Sequence, residues 1–243
     1  MKTIKNYLET CLNTYDESLL DDDDIFYGAN SDKKVIECWI RDNYRIRDKL
    51  TITDDLVVDC SGRVKVKNKS ITSLTNGLFR WGNVEGNFAC GYTQITSLEG
   101  TPKKVGKNFD CSGCNNLKTL EGAPEKVDGD FWCNACGGLE TLEGAPEKVG
   151  GEFECSGCNN LKTLEGAPKK VGGYFCCSYC KNITSLKGAP EKVGGHFSCS
   201  HCDKLETLKG APEKVGGGFY CKRCKNLKIS DSDRRKYKIR DLM

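Results

Sequence analysis

Residues 153–173 read FECSGCNNLKTLEGAPKKVGG, and near copies of this stretch lie on both sides of it. The stretch contains a C-x-x-C pair, an L-x-x-L pair and a GAP turn. All six prolines of the protein fall into one column at a fixed spacing of 22 residues, namely Pro102, Pro124, Pro146, Pro168, Pro190 and Pro212. A strict period of this size indicates stacked coils, each too small to bury its apolar side chains without its neighbours.

Each repeat unit predicts one short strand followed by irregular, turn-rich returns. Phe153 and Cys155 are two residues apart, so on a strand both side chains point inward, while Glu152 and Glu154 point outward. Equivalent strands of successive coils then pair in parallel, about 4.8 Å apart. We therefore predict a leucine-rich-repeat-like solenoid with one short parallel strand in every coil.

The repeat extends over residues 51–229, which predicts about eight coils between two caps. Residues 1–50 form an N-terminal segment and cap with an acidic linker at 19–25, and residues 230–243 form a C-terminal cap. Apolar residues at helical spacing in 31–46 predict a helix in the first cap. Because solenoids cover their apolar ends with such lids, we expect a monomer that does not stack end to end.

Composition excludes several classes of function. The formal net charge is +3 among 29% charged residues of both signs, which favours neither nucleic acid nor membrane as a partner. No apolar run approaches a membrane span or the core of a signal peptide, so we expect a soluble, cytoplasmic protein. The two histidines, His196 and His201, have no partner nucleophile or carboxylate pair at a meaningful spacing, so we expect no enzymatic activity.

The repeats in residues 95–106, ITSLEGTPKKVG, and 161–173, LKTLEGAPKKVGG, resemble the leucine-rich-repeat-like arrays of tailed-bacteriophage proteins. They resemble the BspA-like bacterial leucine-rich repeats more distantly. The resemblance implies a curved solenoid whose strand face binds a protein partner without catalysis. It also implies a phage-encoded protein in the cytoplasm of a bacterial host. The opening MKTIKNYLET predicts an ordinary short helix over 3–12. The alternative is its similarity to the capsid-packaging tags of some phage proteins, which implies a virion-associated structural protein.

The cysteines allow two interpretations. Successive C-x-x-C pairs have 18 residues between them, within the about 15 to 20 residues found in zinc ribbons. However, the same spacing follows from the 22-residue period, and the first cysteine of each pair faces the apolar interior beside phenylalanine. The coil of Cys90 has Thr93 in place of the second cysteine and still forms a repeat.

We therefore predict a ladder of packed thiols with no cofactor. The alternatives are structural zinc, giving a zinc-stapled module, and disulfides formed on oxidation. The candidate zinc ligands are Cys111, Cys114, Cys133, Cys136, Cys155, Cys158, Cys177, Cys180, Cys199, Cys202, Cys221 and Cys224.

The outward strand positions vary from coil to coil, whereas the inward positions hardly change. Outward residues are acidic in the middle coils and become aromatic and basic towards the C-terminus. Aromatic residues and arginine are the usual anchors of protein interfaces, although variation on a surface free of packing demands could also produce this pattern. The predicted partner-binding residues are Trp132, Glu152, Glu154, Tyr174, Tyr179, His196, His201, Tyr220 and Arg223.

Overall fold

The structure, a computed structural model, describes residues 31–239. The predicted N-terminal helix over 3–12, the predicted acidic linker at 19–25 and the last four residues, 240–243, lie outside this range. Two helices flank the repeats, α1 (Ser31–Asn43) and α2 (Asp231–Tyr237). Within residues 31–239, no helix has the length and apolar composition needed to cross a membrane.

Each regular coil contributes one strand to each of two parallel sheets, which form opposite walls of a β-solenoid. The front sheet consists, in spatial order, of β1 (Tyr44–Arg47), β4 (Arg63–Val66), β6 (Phe88–Ala89), β8 (Phe109–Asp110), β10 (Phe131–Trp132), β12 (Phe153–Glu154), β14 (Phe175–Cys176), β16 (Phe197–Ser198) and β18 (Phe219–Tyr220). The back sheet consists of β2 (Leu50–Ile52), β3 (Val57–Cys60), β5 (Arg80–Val84), β7 (Lys104–Val105), β9 (Lys126–Val127), β11 (Lys148–Val149), β13 (Lys170–Val171), β15 (Lys192–Val193) and β17 (Lys214–Val215).

The predicted solenoid with a short parallel strand in every coil is confirmed. The sequence predicted only the front strand; the lysine–valine pairs lie in what was predicted as irregular return and form the strands of the back sheet. Two residues are too few for an alternating pattern to be visible in one coil. We number the regular coils one to seven by their first front-strand residues, Phe88, Phe109, Phe131, Phe153, Phe175, Phe197 and Phe219.

The strand register between the regular coils is strict, so each strand side chain lies on its equivalent in the next coil. Phe153 pairs with Phe131 on one side and Phe175 on the other. Its ring centroid lies 5.1 Å and 5.4 Å from theirs, and all three side chains are fully buried. Columns of cysteine, leucine and valine run parallel to this phenylalanine ladder and complete one continuous core. Each coil is therefore stabilised mainly by its two neighbours.

A glycine in the GAP turn allows this close stacking. Gly166 has a φ of 86°, and a Cβ atom added to it would lie 2.2 Å from the backbone nitrogen of Glu143 in the preceding coil. Such a φ is rare for residues with a side chain. The equivalent glycines all have φ between 84° and 92°: Gly100, Gly122, Gly144, Gly188 and Gly210.

Both ends of the core are covered. At the N-terminal end, β1 pairs antiparallel with β4 and β2 pairs antiparallel with β3, so both sheets end on an antiparallel strand. At the C-terminal end, the ring of Tyr237 in α2 stacks on Phe219 with centroids 4.4 Å apart, and its hydroxyl donates to the carbonyl of Pro212 at 2.8 Å. Tyr237 thus continues the phenylalanine ladder by one ring.

Candidate functional site

The front face consists of the outward side chains of the front sheet and of the loop that follows each strand. Each coil contributes the residue before its phenylalanine, the residue after it, and a residue in left-handed conformation between the cysteine positions. The strict register arranges these positions in three columns along the solenoid. The face therefore displays its varied side chains on a backbone that is the same in each coil.

An aromatic cluster occupies coils five to seven of the front face. Tyr174 contacts His196 with ring centroids 4.8 Å apart, and His196 contacts Tyr220 edge-on at 5.3 Å. In the left-handed column, the rings of Tyr179 and His201 stack at 4.4 Å with an angle of 10° between them. The three tyrosines remain 42–54% exposed despite these contacts. Five of the predicted partner-binding residues thus form two groups of contacting rings, Tyr174–His196–Tyr220 and Tyr179–His201.

Glycines of the following coil fix the orientation of these rings. A Cβ atom added to Gly195 would lie 2.3 Å from the ring of Tyr174, and one added to Gly217 would lie 2.3 Å from Nδ1 of His196. The backbone N–H of Gly218 donates to the same Nδ1 at 2.5 Å. The missing side chains let the rings lie along the solenoid axis, so the cluster is ordered before any partner binds.

Three consecutive coils place a large side chain at the left-handed position. Tyr179, His201 and Arg223 have φ of 61°, 59° and 56°. Coils two and four use Gly113 and Gly157 there. A residue with a side chain costs about 1–2 kcal/mol in this conformation. Backbone strain of this kind is concentrated at functional sites, because the fold alone does not favour it.

We expect Arg223→Gly to raise the free energy of unfolding by about 0.5–1 kcal/mol, because it removes the left-handed strain at the cost of extra chain entropy. Ala135→Gly, at the equivalent position of coil three with φ of 55°, is the matched control and should have a similar effect. Urea unfolding of both variants measures the change. A loss of stability in both would show that this column is not strained.

The other half of the front face, in coils two to four, is acidic. Its carboxylates are half-buried, and two of them accept hydrogen bonds from backbone N–H groups: Asp110 from Ser112 at 2.9 Å and Asp130 from Glu152 at 2.8 Å. Burial and the nearby carboxylates of Asp130 and Glu154 raise the pKa of Glu152. Within residues 31–239, none of these four carboxylates forms an ion pair.

Trp132 lies in this acidic half, separate from the aromatic cluster. The register places it between Asp110 and Glu154, and its side chain is half-buried. Its ring contacts no other aromatic ring in the described part of the chain. The outward aromatics therefore form a C-terminal group, with Trp132 two coils away from the nearest member, Tyr174.

Tyr92 is a face residue that the sequence analysis missed. It has the left-handed conformation of the same column, with φ of 58°, and its side chain is 66% exposed. Its ring lies over Gly113, whose added Cβ atom would be 2.5 Å from Cδ1. Coil one has Thr93 instead of a second cysteine, so Tyr92 does not lie between two paired cysteines. Its position two residues after Cys90 was the available signal.

The cysteines of the C-x-x-C pairs line two columns inside the solenoid, as free thiols. Each thiol of the second column points to the backbone carbonyl of a first-column cysteine one coil earlier: Cys158 Sγ donates to the carbonyl of Cys133 at 3.1 Å, and Cys180 Sγ to that of Cys155 at 3.2 Å. In coil one the hydroxyl of Thr93 donates to the carbonyl of Cys90 at 2.8 Å. The prediction of many buried cysteines is confirmed, and the second column has a specific hydrogen-bonding role.

Burial holds thiols such as those of Cys155, Cys177 and Cys180 in their protonated form. Burial raises the pKa of the Cys155 and Cys177 thiols well above the ordinary value and that of Cys180 to about 12. Zinc binds thiolates that converge on a tetrahedral site. Within residues 31–239, no three His, Cys, Asp or Glu side chains are placed to hold a metal ion. The geometry therefore gives the zinc-stapled alternative no site among the described residues.

We expect the protein to lose stability above about pH 8.5, the ordinary cysteine pKa. Thiols of the unfolded chain ionise there, whereas folded thiols such as Cys180, with a pKa of about 12, stay protonated. Because the unfolded state then binds fewer protons, each such thiol lowers the free energy of unfolding by about 1.4 kcal/mol per pH unit. Urea unfolding between about pH 7 and pH 10 under reducing conditions measures the slope. Cys180→Ser should reduce it; a stability independent of pH would contradict the account.

A groove of about 770 Å³ runs along the outside of the back sheet, far from the aromatic cluster. Exposed lysines line one side, and valine and glycine backbone form its floor. An added Cβ atom on Gly172 would lie 2.0 Å from the carbonyl oxygen of Gly150, so tight stacking of the coils favours glycine there. The lining hardly changes from coil to coil, as expected for a feature produced by the repeat itself. We therefore place the candidate site on the front face.

Together, the fold and the front face define a class: a β-solenoid repeat protein with buried cysteine columns and one varied, partly aromatic surface. Comparison with protein-family models, curated proteins and solved structures found no match. The function is therefore argued from the side chains of the front face.

Proposed function

We propose that the chain is a non-enzymatic repeat protein that binds a protein partner through its front face. The observation that carries the proposal is the run of large residues at left-handed positions in three consecutive coils, Tyr179, His201 and Arg223. Tyr179 and His201 stack on each other, and this stack remains partly open to solvent. Large exposed rings at strained positions are costly for folding alone, which favours a role in recognition.

The arrangement suits binding for two physical reasons. The tyrosine and histidine rings of the aromatic cluster are already ordered by stacking on each other, so binding immobilises few additional rotamers. Tyrosine and arginine also combine apolar surface with hydrogen-bonding tips, which is why they dominate interface hot spots. A stack of coils at fixed spacing presents these groups on a rigid platform.

We place this activity, from the resemblance of the repeats, in a phage-encoded protein acting in the cytoplasm of a bacterial host. Association with the virion is the related alternative, and mass spectrometry of purified particles distinguishes the two settings. The zinc-stapled alternative has less support, because the second-column thiols donate to backbone carbonyls such as that of Cys133.

Affinity capture from a bacterial host lysate tests the proposal when four immobilised forms are compared. The wild type should retain one or more proteins that Trp132→Ala combined with Tyr174→Ala does not. Lys148→Ala combined with Lys170→Ala, on the back sheet, is the matched control and should capture as the wild type does. Arg223→Gly should lose captured protein although it folds at least as stably. If the front-face variants capture the same proteins as the wild type, the front face is not the binding surface.

A further inference from the structure

We propose that the C-terminal edge of the front sheet is a second binding site, which accepts an extended acidic peptide as an additional parallel strand. The site consists of the last strand of the sheet, β18, and the groove between that strand and α2. It goes beyond the proposed function of the front face, because main-chain hydrogen bonds at the end of the solenoid hold the added strand. Such strand addition requires a free row of backbone donors and acceptors at a sheet edge.

The backbone N–H groups of coil seven provide this row. In each of coils one to six, three N–H groups donate to carbonyls of the next coil, and in coil six these bonds measure 2.8–3.0 Å. The donors of coil six are Phe197, Cys199 and His201. The equivalent N–H groups of coil seven have no hydrogen-bond acceptor within residues 31–239, and they belong to Phe219, Cys221 and Arg223. Three donors in strand register therefore face the end of the solenoid without partners in the described chain.

A groove of about 330 Å³ lies along this edge. Residues 217–222 form one wall, and Tyr237, Lys238 and Ile239 at the end of α2 form the other. At the opposite end of the solenoid, the antiparallel strands β1 and β2 complete the two sheets. The C-terminal cap thus covers the core side chains of coil seven but leaves space beside its main chain.

The charge of the groove favours an acidic peptide. Two exposed lysines line it, Lys222 and Lys238, and no carboxylate of the described residues does. Neither lysine forms an ion pair within residues 31–239. The carboxylates of α2, Asp231 and Asp233, lie in its first turn, whereas its last turn, next to the groove, is basic. Opposite charge on the added strand would therefore be attracted, and a basic strand would be repelled.

Tyr237 determines which residue fits opposite Phe219. In coils one to six, each phenylalanine ring contacts the phenylalanine ring of the next coil. At the end of the ladder the ring of Tyr237 takes that position, with its centroid 4.4 Å from that of Phe219. An added strand in the same register must therefore have a small residue, such as glycine, over Phe219.

Nuclear magnetic resonance of the full chain during titration with a synthetic peptide tests the proposal. The probe is acetyl-GEGEVSG-amide, which copies residues 151–157 with glycine in place of Phe153 and valine in place of Cys155. In the free chain we expect the amides of Phe219, Cys221 and Arg223 to exchange rapidly with solvent. Saturating peptide should slow their exchange about tenfold or more, because each amide then donates to a peptide carbonyl.

Two control peptides each change one feature of the probe. GEFEVSG should bind about tenfold more weakly, because its phenylalanine competes with the ring of Tyr237, and Tyr237→Ala should remove this difference. GKGKVSG, with lysine in place of glutamate, should also bind about tenfold more weakly to the wild type. Lys222→Glu combined with Lys238→Glu should reverse that order. Circular dichroism verifies that the variants fold, and the charge reversal decides the question if Tyr237→Ala does not.

Three results would overturn the proposal. Slow exchange of the three amides in the free chain would mean that the edge is already occupied. Absence of saturable binding, or equal affinity for the glutamate and lysine peptides, would exclude an acidic strand. Binding that shifts the amides of Tyr174 and Tyr179 but leaves those of Phe219 and Cys221 unchanged would place the peptide on the front face. The capture experiment on the front face is decided independently of all three.

Discussion

Gly166→Ala should lower the free energy of unfolding by about 2–5 kcal/mol, which combines about 1–2 kcal/mol for a side chain at positive φ with about 1–3 kcal/mol for overpacking. Both terms arise from observed geometry. The φ of Gly166 is 86°, and the new Cβ atom would lie 2.2 Å from the backbone nitrogen of Glu143. That nitrogen belongs to the preceding coil, so relief of the clash requires two coils to separate.

Gly157→Ala is the matched control in the same coil. Gly157 also has positive φ, at 72°, but the nearest atom to its added Cβ lies 3.8 Å away. Ala135 already occupies the equivalent position of coil three. We expect a loss of only about 1 kcal/mol, from the backbone term alone. Urea unfolding of both variants measures the difference. Equal effects would show that coil-to-coil contact at the GAP turn is looser than the structure describes.

Phe153→Ala should lower the free energy of unfolding by about 3–5 kcal/mol, the usual cost of a large cavity in a packed core. The ring is fully buried and contacts Phe131 and Phe175 at once. Because coils are stabilised by their neighbours, the cavity weakens two interfaces in the middle of the solenoid. We therefore also expect the two halves to unfold less cooperatively.

Phe153→Leu serves as the control, because leucine keeps most of the volume and should cost on the order of 1 kcal/mol. Hydrogen exchange of the N-terminal and C-terminal coils, together with urea unfolding, reports on stability and cooperativity. If Phe153→Ala unfolded at the same urea concentration as the wild type, the phenylalanine ladder would not be what stabilises the core.

The front strand and the inward face of each coil could be predicted from the sequence because the repeat multiplies each weak signal. One F-x-C alternation is ambiguous, but the same alternation in successive coils fixes the inward face, and Phe153 and Cys155 are indeed fully buried. The strand at Lys170–Val171 was not recognised, since its two residues become a strand only through pairing with the coils on either side. Local pattern cannot indicate a strand that depends on neighbours.

The candidate site was less accessible to sequence reasoning. The outward positions of Tyr174 and His196 could be assigned from alternation. Their ring contact at 4.8 Å could not, because it requires that Gly195 has no side chain. The grouping of Trp132 with these residues did not take the distance along the solenoid axis into account. Tyr92 was missed because its coil departs from the consensus. The hydrogen bond from Cys158 to the carbonyl of Cys133 required the three-dimensional register.

The central claim is that the cysteines of the two columns are core thiols and not metal ligands. The candidate site for binding a partner is then the front face. Native mass spectrometry of protein purified without added metal, with a thiol titration of the same sample after denaturation, tests the claim about the cysteines most directly. We predict the mass of the metal-free chain and seventeen titratable thiols. About two or three zinc ions per chain, with thiols that react only after a chelator is added, would contradict the claim and make the C-x-x-C pairs metal ligands.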